Sequence, residues 1–245
     1  GTGAFAYCSN VKKIQFNSKI TELPMYMFSN CTALESLVIP STIVKINGFA
    51  FGDCKNLKNL EIQYPVVCLE QNAFYNCTGL ENVTVYGHEA GKSMMSAFPG
   101  NLKRITVAGA MTTVPENMFS NFSSLEEIDL PDTITEIGKK AFYNCTNLKA
   151  LKLPPKLNKI GDWAFAGCSH LRELKLQEGL ESIGAYTFGN CDSLESVEMP
   201  DTLRHVGNQA FQGCTSLKKV VLYDTIEQLG SLCFAADPAE IEIRY

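Results

Sequence analysis

The chain has 245 residues, of which 45% are hydrophobic, 19% charged and 10% aromatic, so it has enough apolar side chains to build a folded core. This composition excludes a disordered, collagen-like or coiled-coil protein. The formal net charge of -5 and a pI near 5.3 provide no strong basic field, which argues against a nucleic-acid partner. The sequence also has no run approaching the roughly 18 consecutive apolar residues of a membrane span.

One repeat runs through the whole sequence. Phenylalanine recurs every 23 residues, with a step of 24 before Phe98 and of 21 after it. Eleven of the fourteen phenylalanines follow this period: Phe5, Phe28, Phe51, Phe74, Phe98, Phe119, Phe142, Phe165, Phe188, Phe211 and Phe234. Such a period indicates a repeat architecture and has to be interpreted before any single element.

Each repeat contains the same frame, which is clearest in residues 134–154. The segment Leu148-x-x-Leu151-x-Leu153 ends in an apolar and polar alternation and is followed by proline, which predicts a short strand. The run Ala-Phe-x-x-Cys is too short for an independent helix, so it predicts one tight helical turn. Two residues after most of the phenylalanines comes Asn, Gly or Asp, the residues that tolerate a left-handed backbone.

A unit of 23 residues cannot bury its phenylalanine and leucines alone, so neighbouring coils must stack and share one core. The sequence therefore predicts a solenoid of about eleven coils that forms a single domain over residues 1–245.

The frame resembles the BspA-like, or Treponema pallidum type, leucine-rich repeat. That coil reads Leu-x-x-Leu-x-Leu-Pro followed by Ile-x-x-Ile-Gly-x-x-Ala-Phe-x-x-Cys, and the resemblance extends over essentially all 245 residues. It implies an α/β solenoid, a right-handed superhelix of 23-residue coils with short parallel strands and short helical turns. It brings no catalytic residue and no cofactor.

The same resemblance implies a function. Proteins with these repeats are typically bacterial or protozoan surface and secreted proteins that adhere to extracellular-matrix or host-surface glycoproteins. We therefore expect a non-catalytic protein-binding module at the cell surface or secreted. The alternative is a structural spacer or stalk that displays another domain, and an enzyme is a more distant third hypothesis because no hydrolase motif accompanies the three histidines.

The two ends of the sequence lead to different expectations. Gly1-Thr2-Gly3-Ala4-Phe5 aligns with the middle of a later repeat, so we expect the N-terminus to be truncated within a coil. At the other end, Glu240, Glu242 and Arg244 alternate with isoleucines, which predicts a last edge strand protected by charge and a natural C-terminus.

An irregular coil spans residues 86–98, where the repeat signal disappears. The simpler interpretation is a drifted coil whose methionines fill an imperfect core. The functional interpretation is a partner site, with these candidate residues: Tyr86, His88, Lys92, Met94 and Met95. Gly87 to Ser93 is one residue short of a phosphate-binding loop, so nucleotide binding is not expected.

Eight of the ten cysteines share one repeat position: Cys8, Cys31, Cys54, Cys77, Cys145, Cys168, Cys191 and Cys214. Stacked side chains point the same way, and Phe122 takes this position in one coil, so we predict buried free thiols and not disulfides. No Cys-x-x-Cys pair occurs, which argues against zinc.

The outward residue at the middle of each strand is the natural binding position on such a scaffold. The candidates are Glu61, Thr84, Thr106, Asp129, Lys152, Lys175 and Glu198. Lys152 and Lys175 with Asp129 form the most charged part of this face. The alternative is that these charges keep the protein soluble and monomeric. No aromatic row is expected at the surface.

Overall fold

The computed structural model describes residues 1–63, 68–86, 94–234 and 240–245. The chain divides into two compact units, Gly1–Gly109 and Ala110–Tyr245. The single solenoid domain over residues 1–245, the truncated N-terminus and the handedness of the winding stay predictions.

The first unit is built from short strands and one short 3-10 helix, Met94–Ala97. Its strands are β1 (Glu22–Leu23), β2 (Ser36–Ile39), β3 (Lys45–Ile46), β4 (Asn59–Ile62), β5 (Cys68–Leu69), β6 (Asn82–Tyr86) and β7 (Arg104–Ala108). They pair in the orders β1-β3-β5 and β2-β4-β6-β7, so that alternate strands of the chain lie in the same sheet. This alternation is the signature of a coiled chain whose turns stack.

The second unit repeats this arrangement. Its strands are β8 (Thr113–Val114), β9 (Glu127–Asp129), β10 (Glu136–Ile137), β11 (Ala150–Leu151), β12 (Lys159–Ile160), β13 (Glu173–Lys175), β14 (Ser182–Ile183), β15 (Ser196–Glu198), β16 (His205–Val206), β17 (Lys219–Tyr223), β18 (Gln228–Leu229) and β19 (Glu240–Arg244). One sheet has the order β18-β16-β14-β12-β10-β8, and a second contains β11-β13-β15-β17-β19.

The pairing register confirms the predicted parallel strands. All fourteen pairs resolved within the two units are parallel, and equivalent residues of successive coils lie opposite each other, as Leu37 does Leu60 and Val197 does Val220. The longer strands alternate exposed and buried residues, for example in β2 and β15. Each sheet therefore turns one side of every strand towards the shared core.

The predicted number of about eleven coils is wrong. Within the described residues, nine turns of about 23 residues each carry two strands, from β1 with β2 to β18 with β19. Phe5 precedes the first strand, so its repeat is not a complete turn. Among the described residues there is also no two-residue strand between β6 and β7. Counting phenylalanines therefore overestimates the number of complete turns.

The predicted helical turns are also wrong: the 3-10 helix Met94–Ala97 is the only helix in the described residues. An α-helix needs each N–H to bond a carbonyl four residues earlier in its own segment. Here alternate N–H groups bond the next coil instead, as Trp163 N does with Ala185 O at 2.9 Å and Phe165 N with Thr187 O at 2.8 Å. The left-handed φ values of 59° at Trp163 and 80° at Gly167 also interrupt any helix.

The phenylalanines form a buried ladder within each unit. In the second unit the rings of Phe142, Phe165 and Phe188 stack at centroid distances of 5.0 and 5.5 Å, with both pairs 4° from parallel. All three side chains are fully buried, with relative exposures of 0%. Because each of these rings touches the rings before and after it, the ladder couples neighbouring coils within a unit.

The cysteines beside this ladder are free, as predicted. Cys145 Sγ donates to the Phe119 carbonyl of the preceding coil at 3.1 Å. The same kind of bond is made by Cys31, Cys54, Cys77, Cys168, Cys191 and Cys214. None of the ten cysteines forms a disulfide. Burial raises the pKa of Cys145 to about 12, so this thiol remains a protonated donor at neutral pH.

A glycine column sets the closest approach of neighbouring coils. A Cβ added at Gly207 would lie 2.3 Å from the Ala185 nitrogen and the Gly184 carbonyl carbon. Such separations are far inside van der Waals contact, so any other residue would push the two backbones apart. This explains the glycine that follows the second isoleucine of the repeat frame.

Candidate functional site

The structure places the three predicted site residues of the first unit in one row. Glu61 on β4 lies opposite Thr84 on β6, and Thr84 lies opposite Thr106 on β7. All three side chains are half-buried, and Glu61 accepts a hydrogen bond from Gln63 at 3.2 Å. This row is therefore short and mostly polar, with Glu61 as its one charged group.

In the second unit the predicted residues follow the same outward position. Lys175 lies opposite Glu198, and Lys152 follows β11 at the position that continues towards Lys175. Asp129, Lys152, Lys175 and Glu198 are all exposed. The strand face of this unit thus presents a row of four charged side chains, in the order acidic, basic, basic and acidic.

A groove of about 510 Å³ lies beside the two lysines. Its lining includes Asp132, Leu151, Lys152, Leu153, Lys175 and Gln177. The groove forms where β11 stops after two residues, because Pro154 and Pro155 follow and proline cannot donate to a sheet. Its base is apolar, since the buried Leu151 and Leu153 contribute to it, and its rim is charged.

The two lysines lack the cross-coil ion pairs that several other charged residues of the second unit form. Lys159 pairs with Glu136 of the preceding coil at 3.0 Å, and Lys218 pairs with Glu195 at 3.2 Å. Lys152 and Lys175, in contrast, occupy adjacent coils with like charge, and neither forms an ion pair within the part of the chain that is described. Like charges placed side by side on neighbouring strands are destabilising.

Glu198 has a structural partner. Its carboxylate is bound by the Arg244 guanidinium, and the two residues belong to the strands on either side of β17. The pair spans the position of Val221, which is only 3% exposed although it occupies the outward row. Glu198 is therefore part of a cross-strand ion pair and is less available to a partner than the two lysines.

Among the described residues, the candidates of the irregular coil do not form a common site. Tyr86 ends β6 and is 37% exposed, whereas Met95 is 3% exposed and belongs to the core. Met94 is the first residue of the 3-10 helix, and His88 and Lys92 lie outside the described residues. Met95 is buried in the core, which fits the simpler interpretation of this coil, and the candidate site of residues 86–98 stays a prediction.

Aromatic rows on the turn side of each unit were missed from the sequence. In the first unit Tyr26 stacks on Phe49 at 5.3 Å, and Phe49 meets the edge of Tyr75 at 5.4 Å. Tyr26 is 42% and Tyr75 52% exposed. The signal was present, because the residue two positions before the ladder phenylalanine is aromatic in several repeats.

The second unit has a similar row. Trp163 stacks on Tyr186 at 4.1 Å, and the Lys140 ammonium lies 5.8 Å from the Trp163 ring. The left-handed φ values of 59° and 57° at Trp163 and Tyr186 carry these side chains away from the core. The rings contact one another and Lys140, so much of their surface is already used within the protein.

The described residues contain no group of three side chains that could hold a metal ion. His170 Nδ1 lies 2.7 Å from the Thr146 carbonyl, and His205 lies 4.0 Å from Glu227. Among these same residues, no helix has the length and apolar character that crossing a bilayer requires.

Stacked parallel-strand coils with a phenylalanine ladder define a leucine-rich-repeat solenoid, a fold that serves in general as a protein-interaction module. The chain belongs to the BspA type leucine-rich repeat family. Its sequence matches the BspA type leucine-rich repeat region, described as six copies, over residues 1–125 and again over 112–240. The resemblance found in the sequence is thereby confirmed.

Solved structures include similar proteins. A leucine-rich repeat protein from Bacteroides ovatus is 26% identical with a TM-score of 0.58, and the match covers 100% of this chain and 63% of that chain. A leucine-rich cell surface protein from Faecalibacterium prausnitzii is 22% identical with a TM-score of 0.41, covering 90% and 80%. The T. pallidum leucine-rich repeat protein is 21% identical with a TM-score of 0.32, covering 85% and 72%. No protein of curated function matches the sequence.

Proposed function

We propose that this chain is a non-catalytic protein-binding module of a secreted or cell-surface protein, and that it adheres to an extracellular glycoprotein through the groove beside Lys152 and Lys175. The observation that carries the proposal is the pair of lysines, which lie side by side at the groove and form no ion pair within the described residues. An acidic segment bound beside these two lysines would offset the repulsion between their like charges.

The groove supports this proposal because it combines two kinds of contact. Leu151 and Leu153 supply an apolar base, and the two ammonium groups stand at its rim. Coils in a parallel sheet are about 4.8 Å apart, so an extended acidic segment lying across the strands can meet both lysines. Binding of this kind is weakened by salt, because the charges on the rim are exposed to solvent.

The burial of the thiols removes an objection to an extracellular location. Free cysteines would be vulnerable in an oxidising compartment if their thiolates were accessible. Burial raises the pKa of Cys214 to about 12, and the pKa values of Cys168 and Cys191 lie well above their ordinary range for the same reason. Buried thiols of this kind are inert, so these cysteines do not argue against secretion.

The test is biolayer interferometry of the chain against a panel of extracellular-matrix and plasma glycoproteins at low and physiological salt. We expect saturable binding that the Lys152→Glu/Lys175→Glu double variant weakens at least roughly ten-fold. The matched control is Lys55→Glu/Lys58→Glu, which makes the same charge change on exposed residues of the first unit.

Equal weakening by both double variants would show only a general charge effect and would contradict the groove site. Loss of binding in a Trp163→Ala/Tyr186→Ala variant, with Lys152→Glu/Lys175→Glu unaffected, would move the site to the aromatic row. Absence of binding to every protein of the panel would favour the spacer or stalk alternative.

A further inference from the structure

The coil that contains β11 pairs with its neighbours over only a few residues. The pairing of β11 with β13 ends at Leu151 and Leu174, whereas the pairing of β13 with β15 continues one residue further, to Lys175 and Glu198. On its other side, β11 belongs to a different sheet from β9 among the described strands. The sheet is therefore interrupted at the groove beside Lys152 and Lys175.

The first unit shows which hydrogen bond is missing at this interruption. There Gln63 follows β4, and its backbone N–H donates to the Ile39 carbonyl of β2 at 3.0 Å. The residues at the same repeat positions in the second unit are Gln177 and Leu153. Among the described residues, the Gln177 N–H and the Leu153 carbonyl bond neither each other nor any other group.

The Gln177 side chain bridges the two coils in place of the backbone. Its Nε2 donates to the Pro154 carbonyl of the preceding coil. Three other coils of the unit have proline at the repeat position of Gln177, namely Pro131, Pro154 and Pro200. Proline has no N–H, so Gln177 brings to this position a backbone donor that those coils lack.

The free donor and the free acceptor belong to the same groove. Gln177 and Leu153 both line its volume of about 510 Å³, together with Lys152 and Lys175. Leu153 is only 3% exposed, and residues as buried as this almost always have their backbone groups hydrogen-bonded. A ligand that supplies one N–H and one C=O would therefore satisfy groups that the protein leaves unpaired.

We propose that the groove binds an extended acidic peptide through its main chain, a proposal that rests on the proposed function and specifies the ligand of the same site. An extended peptide presents an N–H and a C=O on the same side of every second residue. Such a segment donates to the Leu153 carbonyl and accepts from the Gln177 N–H, while its carboxylates reach Lys152 and Lys175. An acidic glycan matches the two lysines equally well but has no peptide main chain.

The first experiment tests whether the Gln177 N–H is unpaired in the folded protein. Gln177→Ala removes the side chain alone, whereas Gln177→Pro also removes the N–H. In urea unfolding, Gln177→Pro should be at least as stable as Gln177→Ala, because no hydrogen bond is lost and other coils carry proline at this position. At Gln63, whose N–H is bonded, the proline variant should unfold at lower urea than the alanine variant. The same difference at Gln177 would reveal a bonded N–H and overturn the proposal.

The second experiment is isothermal titration calorimetry of the full chain with the peptide acetyl-Glu-Leu-Glu-Leu-Glu-amide. We expect the dissociation constant of Gln177→Pro to be roughly ten-fold higher than that of Gln177→Ala, because only the former loses the hydrogen bond to the peptide main chain. The matched control compares Gln63→Pro with Gln63→Ala, which should bind the peptide equally. Lys152→Glu/Lys175→Glu should weaken binding at least roughly ten-fold.

Two results would overturn the peptide ligand while the groove remains the proposed binding site. One is equal binding by Gln177→Pro and Gln177→Ala together with weakening by Lys152→Glu/Lys175→Glu, which would show recognition of charge alone. The other is binding of a carboxylated oligosaccharide, the hyaluronan hexasaccharide, more tightly than the peptide and with the same dependence on the lysines. Peptide binding that the lysine double variant leaves unchanged would contradict both the peptide ligand and the groove site.

Discussion

The phenylalanine ladder gives the most direct test of the fold, through the substitution Phe165→Ala. The Phe165 ring is fully buried between Phe142 at 5.0 Å and Phe188 at 5.5 Å. Emptying such a site costs about 3–5 kcal/mol through lost burial and the cavity left behind. The two ring pairs, at about 0.5–1.5 kcal/mol each, place the expected loss in the upper part of that range.

Phe5 provides the matched control, because it holds the same repeat position in a different environment. It is 48% exposed and stacks on one ring, Phe28, at 5.4 Å. Phe5→Ala should therefore cost only about 1–2 kcal/mol. Lys152→Ala, on the exposed strand face, should change the free energy of unfolding by less than about 0.5 kcal/mol.

The assay is equilibrium urea unfolding, followed by far-ultraviolet circular dichroism and by the fluorescence of Trp163, the only tryptophan. Stability in a repeat protein is the sum of neighbouring-coil terms, so damage at Phe165 should appear first at Trp163, two residues away. We expect the fluorescence midpoint of Phe165→Ala to fall below its circular dichroism midpoint. Equal losses for Phe165→Ala and Phe5→Ala would refute the reasoning, because burial and ring stacking would then not set the energy.

Three further predictions concern the packing between coils. Gly207→Ala should lower the free energy of unfolding by roughly 1–3 kcal/mol in urea melts, whereas Gly100→Ala, with nothing within 4 Å of the added Cβ, should be close to neutral. A thiol reagent should rapidly modify only the half-exposed Cys8 and Cys68 in the native protein, and all ten cysteines after unfolding. Rapid modification of more than two cysteines in the native protein would contradict the burial of the thiol column. Folding raises the pKa of Cys145 from 9.0 to about 12, so its contribution to stability should be complete below pH 9. Between pH 9 and 12 that contribution should fall by about 1.4 kcal/mol per pH unit. Cys145→Ala should reduce this slope in melts between pH 8 and 11.

Much of the fold could be predicted because each contact between coils recurs in every repeat of the sequence. The period identified the ladder residues such as Phe165 and the thiol column of Cys145, and the apolar alternation identified the parallel strands. Repetition also predicted the left-handed position, which is occupied by Asn144 at a φ of 57°. These features depend on one coil meeting an identical coil, so a single sequence contains both sides of the contact.

The remaining features depend on what lies in the next coil, and local patterns do not show this. The Phe165 N–H bonds Thr187 and not its own turn, so a segment with helical spacing forms no helix. Val221 is buried beneath a pair formed by residues 46 positions apart, Glu198 and Arg244. The isolation of Lys152 likewise became evident only when the partners of the other charges were known.

The hydrogen bonds from the cysteines to the preceding coil bear on how such a chain gains or loses repeats during evolution. Each of the seven bonded thiols reaches the phenylalanine carbonyl 26 residues earlier, and the stacked ladder rings within a unit find their partners in adjacent coils. Removing or duplicating one whole coil therefore reconnects each surviving group to an equivalent partner. Recombination between two repeats of the gene could shorten or extend the protein without a newly designed junction, whereas a deletion of a few residues would disrupt the register of every contact across that point.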